Sequence, residues 1–221
     1  MKLRVIGDVH GCVNTPHPSK NTCYRDIVKD VDFSVQLGDM AFNYVGLDGL
    51  SYKHIFIPGN HDNYDAIPLE YAVEYGPVSL GPFRFFVVRG EWSIDIKYRH
   101  KLMAAGNQKI WWAEEELTDE EMNECLDLYL QTKPRVVFSH GCPGFISEEI
   151  GGPGVWQAFG WDRKIVTKTQ TLLNTMWEAH QPELWGFGHY HKNWSLIVEN
   201  TKFFCVDELN YVDFNEDWSL A

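Results

Sequence analysis

The chain has 221 residues, enough to bury one sizeable core, so length predicts a single domain over 1–221 rather than two. Nineteen basic against 31 acidic residues leave a net charge of −12, which argues against a grip on long duplex DNA, a task that calls for a basic face. The five cysteines are widely spaced and form no C-x-x-C, which excludes a disulfide framework and a zinc knuckle. The start MKLRVIGDVHG has no charged-then-apolar leader, and no apolar run approaches the ~18 residues that span a bilayer. The expected setting is a reducing cytoplasm with no membrane contact.

One local pattern recurs along the chain: a short apolar run, a sharp stop, then polar residues. Leu3 to Ile6 runs into Gly7-Asp8, and a helix capped by Asn21 or Thr22 is predicted to reach about Lys29. Phe33 to Leu37 runs into Gly38-Asp39, and His54 to Ile57 into Pro58-Gly59-Asn60-His61. Strands are predicted at Phe83–Arg89 and Trp92–Ile96. Thr118-Asp119-Glu120-Glu121 reads as a capping box that opens a helix to about Gln131, before Pro134. Arg135 to Phe138 runs into Ser139-His140, and Gly144, Gly151, Gly152, Pro153 and Gly154 mark a loop after it. A third helix is predicted from Thr167 to His180, stopped by Pro182. Leu184 to Phe187 then runs into Gly188-His189, with strands at Ser195–Val198 and Phe203–Val206 behind. Short runs rich in β-branched residues fit buried strands better than helices, and their alternation with helices indicates a layered α/β domain.

Each stop carries metal-ligand chemistry: Asp8 and His10, then Asp39, then Asn60 and His61, then His140, then His189 and His191. Loops that leave one edge of a sheet bring such distant segments together. Imidazole with carboxylate suits several transition metals. A carboxylate has two oxygens and can bridge two cations, and Asp39 is the natural candidate. Asn60 offers a neutral oxygen, which limits negative charge where an anionic phosphate would enter. Two cations a few ångströms apart would activate water and stabilise an in-line phosphoryl displacement.

Together, Gly-Asp8-Val-His10-Gly, Gly38-Asp39, Gly59-Asn60-His61-Asp62, His140 and Gly188-His189-Tyr-His191 resemble the signature of the calcineurin-like metallophosphoesterases, in order and over most of the chain. That resemblance implies a four-layer α/β/β/α sandwich of two mixed sheets flanked by helices. It implies two divalent cations, with Mn first and Fe, Zn, Ni or Mg also compatible. Asp8, His10 and His191 would hold one; Asn60, His140 and His189 would hold the other; Asp39 would bridge them. His61 would face substrate as general acid or phosphate donor, with Asp62 orienting it through a hydrogen bond. The segment Arg89-Gly-Glu-Trp-Ser-Ile-Asp95, Tyr98-Arg99 and Trp111-Trp112 is similar to a prokaryotic and phage subset, in which a hairpin and a Trp-containing turn precede the middle histidine.

The activity implied is hydrolysis of a phosphate mono- or diester by a hydroxide bridging the two cations. Substrates would be a phosphorylated small molecule, a nucleotide or a phosphoprotein. Alternatives are a cyclic or short-oligonucleotide phosphodiesterase or nuclease, and a catalytically silent binding protein on the same fold. The arginines that eukaryotic-type Ser/Thr phosphatases carry after Gly-Asp and before Gly-Asn-His are missing here, and Arg99 is the best substitute phosphate binder. His17, His54, His100 and His180 match no motif and read as structural. Trp111 and Trp112 read as packing, Cys12 and Cys142 as small buried neighbours of the site, and Glu114 to Glu116 as a solvated face.

Overall fold

The computed structural model describes residues 1–152 and 154–221. Ten strands form two sheets. The first comprises β1 (Leu3–Ile6), β2 (Phe33–Gln36) and β3 (His54–Phe56), with β10 (Tyr211–Phe214) beside β1. β1, β2 and β3 run parallel, and β10 is antiparallel to β1. The second sheet has the order β4 (Tyr75–Leu80), β5 (Phe83–Val88), β6 (Val136–Ser139), β7 (Leu184–Phe187), β9 (Thr201–Cys205) and β8 (Trp194–Val198). Its four inner strands are parallel, and an antiparallel strand closes each edge.

The sequence of the strands explains the layering. On β5, Phe85 and Val87 point into a core shared by both sheets, where they meet Val5, Val35, Ile55 and Phe138. The alternate residues Phe86 and Val88 point outward, onto α3 (Asp119–Thr132), α4 (Gly144–Gly151) and α6 (Lys168–Ala179) through Tyr129, Ile146 and Leu173. A strand buried on both faces reads as a nearly unbroken apolar run, as FRFFVV does. The outer face of the first sheet buries Ile6 and Phe56 under Tyr24 and Ile27 of α1 (Tyr24–Ile27), together with Met40 and Tyr44 from loops. The result is the four-layer α/β/β/α sandwich expected from the sequence. Among the described residues, no helix is long and apolar enough to cross a membrane.

Local signals held best where they were self-contained. Thr118 accepts from Glu121 N while the Glu121 side chain accepts from Thr118 N, so the capping box opens α3. Thr167 caps α6 through Gln170 N. Other expectations need correction. The first helix is one turn, and its flanking Cys23 makes no side-chain cap. The strand expected at Trp92–Ile96 is a turn that feeds α2 (Ile96–Ala104), closed by Ile96 N donating to Ser93 O. The hairpin lies upstream, between β4 and β5, where Pro77 is tolerated on an edge strand. The glycine-marked loop after His140 is largely α4, because Ile146 and Ile150, four apart, bury one face. Pro153 of that prediction lies outside the described residues. A short helix, α5 (Val155–Ala158), follows.

Candidate metal centre

The strands β1, β2, β3, β6 and β7 all end at one edge of the sandwich, and the ligand-bearing loops leave from there. Asp8 and His10 follow β1, Asp39 follows β2, Asn60 and His61 follow β3, His140 follows β6, and His189 and His191 follow β7. The structure brings all of these into one cluster. Two groups form within it: Asp8, His10, Asp39 and His191, and Asp39, His140 and His189, each with ligand atoms within 4.8 Å of one another. Asp39 belongs to both. Its Oδ2 faces His10 Nε2 at 3.9 Å and its Oδ1 faces His140 Nε2 at 3.3 Å, an arrangement suited to one carboxylate serving two cations.

The backbone is bent to make this cluster. His10, Asp39, His189 and His191 all have left-handed φ values, between 48° and 66°. Such geometry costs on the order of 1 kcal/mol or more at each non-glycine position and persists where surrounding structure enforces it. Gly38, with φ of 108°, is enforced by space as well: a Cβ there would overlap the His140 ring. Backbone donors then fix one oxygen of each carboxylate. His189 N donates to Asp8 Oδ1 at 3.0 Å, and His61 N donates to Asp39 Oδ1 at 2.7 Å.

The remaining donor atoms point at each other rather than at partners. Asp8 Oδ2 is buried without a well-formed hydrogen bond, although His191 Nε2 lies 2.9 Å away. His10 Nε2 and His191 Nε2 are 2.9 Å apart. His140 Nδ1 must donate to Leu37 O, at 2.8 Å, so that whenever the ring is neutral its Nε2 lone pair faces Asn60 Oδ1 at 2.9 Å. Asn60 Oδ1 also meets His189 Nδ1 at 3.0 Å. Lone pairs converging at the floor of an open cleft are what a cation relieves, so the residues fit a metal centre of nitrogen and oxygen ligands.

Electrostatics agree with that reading. Burial opposes ionisation of Asp39, yet His140, His61, His10 and His189 together hold its carboxyl well below the usual carboxylate range. Burial and the neighbouring His140 push His189 down to about 3, so its imidazole is neutral and free to ligate. The Asp8 carboxylate, 2.9 Å away, raises His191, and against the effect of burial Asp39 and Asp8 raise His140, so a cation bound there would displace protons from these rings.

The catalytic candidates divide differently. His61 lies on the cleft and stacks edge-on against His10 at 5.2 Å. Burial, with Arg99 beside it, depresses His61 to about 4. Asp62 does not orient it. Its carboxylate instead accepts from Gly59 N (2.7 Å), Ala41 N (3.0 Å), Met40 N (3.2 Å) and Tyr44 OH (3.2 Å), tying the Asp39 and Asn60 turns together. The partner of His61 is Arg99, on α2, whose Nη2 lies 3.0 Å from His61 Nδ1. Arg99 is buried, and its other donors are spent on Asp95 Oδ1 (2.7 Å), Asn60 O (3.1 Å) and Ile110 O (3.1 Å). It stands behind His61 and Asn60 rather than at the mouth of the site.

Two residues taken as solvated or unremarkable also matter. Glu115 is buried and accepts from Ser93 N (2.9 Å) and Ser93 Oγ, while Asn60 Nδ2 donates to Ser93 Oγ at 3.1 Å. This chain fixes the Asn60 amide so that its oxygen faces His140. Glu91 is buried on the cleft wall, where Trp92 N and Thr167 Oγ1 each donate to its Oε1 at 3.0 Å. The acidic run Glu114 to Glu116 gave no sign that Glu115 is buried, since helix periodicity cannot show which face a three-residue turn buries. Cys142 is buried and meets Tyr190 OH at 3.5 Å. Trp112 packs inside with Nε1 donating to Asp65, and His17 faces Glu208 at 3.9 Å, outside both ligand groups.

The cluster opens into a cleft of about 840 Å³ that runs from Asp39, Asn60 and His61 to Trp92, Trp156 and Lys192.

No family model matches the chain, and no curated protein matches it. Solved structures do. A Staphylococcus aureus protein described as a 5′-nucleotidase is 16% identical and superposes over 100% of this chain with a TM-score of 0.51; the chain spans 52% of that protein. A Streptococcus pneumoniae protein described as a predicted phosphoesterase is 13% identical over 100% of this chain and 92% of its own, with a TM-score of 0.42. A phosphopantetheinyl hydrolase from Mycobacterium tuberculosis is 12% identical over 94% and 89%, with a TM-score of 0.47. At these identities the likeness is one of fold, carried by the first of the three.

Proposed function

We propose that this chain, which has the calcineurin-like metallophosphoesterase fold, is a metal-dependent phosphoesterase acting at the cluster around Asp39. The observation that carries this reading is the sharing of Asp39 by two ligand groups, with Asn60 Oδ1 converging on the second. Asp8, His10 and His191 would hold one divalent cation, and Asn60, His140 and His189 the other, between the two oxygens of Asp39. Cations bound there would supply an activated water and positive charge for the phosphoryl oxygens.

The chain's own residues supply the rest. His189 and His140 present lone pairs, held by burial and by Leu37 O respectively. Ser93 and Glu115 keep the Asn60 oxygen turned inward. His61, on the open side of the cluster, is placed to meet the ester. A depressed pKa means that His61 is neutral before substrate arrives. A neutral imidazole can still donate a hydrogen bond to a phosphoryl oxygen, and an arriving dianion would favour its protonation for transfer to the leaving oxygen. Arg99 fixes the ring through its Nη2 and supports the Asn60 carbonyl.

The test is elemental analysis of protein purified without chelator, paired with hydrolysis of p-nitrophenyl phosphate and bis-p-nitrophenyl phosphate under added Mn, Fe, Zn, Ni or Mg. Metal content near two per chain with turnover of one ester is the expected result. Full metal loading with no turnover of either ester would favour a binding protein on this fold.

A further inference from the structure

Part of the cleft lining outside the ligand loops is aromatic. Trp92 comes from the turn after β5, and its neighbour Ser93 is the residue that holds Asn60, so this indole adjoins the candidate metal centre. Trp156 comes from α5, about sixty residues later, and also lines the cleft. The two rings lie within 25° of parallel with centroids 6.1 Å apart. Behind them, Trp161 packs on Trp92 at 5.1 Å and donates from Nε1 to Ile94 O at 2.8 Å. Lys97 locks the same segment from α2, donating to Gly160 O at 2.7 Å with its ammonium 3.7 Å from the Trp161 ring centroid. The wall is therefore assembled from two distant segments and held in place, while Phe159 beside it remains 45% exposed.

Both indoles are half-buried, and apolar surface left partly open next to a polar centre is a place for a ligand to cover. The pair is already close enough to stack on itself, so a ligand ring would take the outer face of the pair rather than a slot between the rings. The cleft lining also includes Lys192, directly after His191. Its Nζ donates to Ile150 O at 3.0 Å and has no carboxylate within 4.0 Å among the described residues, which leaves charge for an anion. Flat rings and a cation lining the same cleft as the phosphate site describe one class of molecule.

We propose that Trp92 and Trp156 form a stacking wall that selects phosphate esters of ring-bearing alcohols, with a nucleoside phosphate as the chemistry that fits. This deepens the phosphoesterase reading and rests on it for the placement of the phosphate. The wall itself makes a separate claim, that affinity depends on the ring.

The experiment is calorimetric titration of the Mn-loaded protein with adenosine 5′-monophosphate and with ribose 5-phosphate, which keeps the sugar and phosphate but lacks the base. Adenosine 5′-monophosphate is expected to bind roughly 5- to 150-fold more tightly, the range that one stacked base contributes. Trp156→Ala should remove most of that difference, and Trp156→Phe should restore it in part. Trp156→Leu keeps apolar bulk without the flat face and serves if the alanine variant does not fold. Equal affinity of the two ligands for the wild type, or an equal loss of both in Trp156→Ala, would overturn the stacking wall. Hydrolysis of the nitrophenyl esters, followed in parallel, separates the two readings. Turnover without ring selectivity sinks only the wall, and ring selectivity without turnover sinks only the phosphoesterase.

Discussion

The two walls of the cleft are built on different principles. The ligand wall is made of residues that leave parallel strands at one edge, and each is over-determined. Asp39 is held by a left-handed backbone, by His61 N and by the Asp62 carboxylate that ties its turn to that of Asn60. The aromatic wall is made of a turn and a four-residue helix, held by two side-chain hydrogen bonds and by ring packing. A centre that must keep several ligand atoms within a few ångströms needs the first kind of support. A surface that meets a ring through its face tolerates the second.

Asp39→Asn breaks the ligand wall most severely, because one neutral amide oxygen replaces a carboxylate shared by two groups. Activity should fall by about three orders of magnitude or more, with metal content reduced. Elemental analysis alongside turnover checks this, and full turnover with full loading would remove Asp39 from the centre. Arg99→Ala should cost on the order of 2–4 kcal/mol in denaturant unfolding, since it strands the Asn60 and Ile110 carbonyls and takes the partner from half-buried Asp95. A loss below about 1 kcal/mol would mean that water replaces the guanidinium, and that the ligand wall depends less on this residue than its contacts imply.

Glu91 stands where the two walls meet, and its burial makes that junction sensitive to pH. Burial pushes its carboxyl from the usual 4.5 to about 8. A raised folded-state pKa contributes stability that is fully present below 4.5 and is lost as pH rises through 8. Metal-free protein should therefore melt lower at pH 9 than at pH 5, with Glu91 contributing on the order of 4 kcal/mol of the difference. Burial raises Glu115 to about 7, which acts in the same direction. Glu91→Gln should flatten the profile, and identical pH profiles for variant and wild type would show that Glu91 ionises freely.

Two milder changes sharpen the comparison. Ser93→Ala frees the Asn60 amide to rotate, so metal affinity should drop roughly 10- to 100-fold while melting changes little. Unchanged affinity would place no weight on the Ser93 and Glu115 chain. Lys97→Ala removes a cation from Trp161 and a bond to Gly160 O, worth about 0.5–1 kcal/mol. Amide exchange of the segment around Gly160 should speed up with no change in metal content. A change in metal content instead would mean that the two walls are not independently supported.

The members of the Asp39 cluster were legible because each sits two to four residues past a short apolar run, and strand ends are local signals. The capping box at Thr118 was legible for the same reason. The partner of His61 was not. Asp62 is adjacent in sequence, but its side chain turns to the Asp39 loop, and the residue that reaches His61 is Arg99, 38 positions away on a helix not predicted from the sequence. Glu115 looked like part of a solvated acidic run because nothing local says that Ser93 lies over it.

By itself the sequence determined the alternation of buried strands and helices, the layered architecture and the residue types available for metal chemistry. These follow from hydrophobic period and from turn residues, which act within a few positions. Only the tertiary structure decided which oxygen of Asp39 faces which histidine, that Asn60 is turned by Ser93 and Glu115, and that Trp92 and Trp156 share a wall. Each of those depends on how two segments far apart in the chain pack, and packing is fixed by space and desolvation across the whole domain rather than by neighbours in sequence.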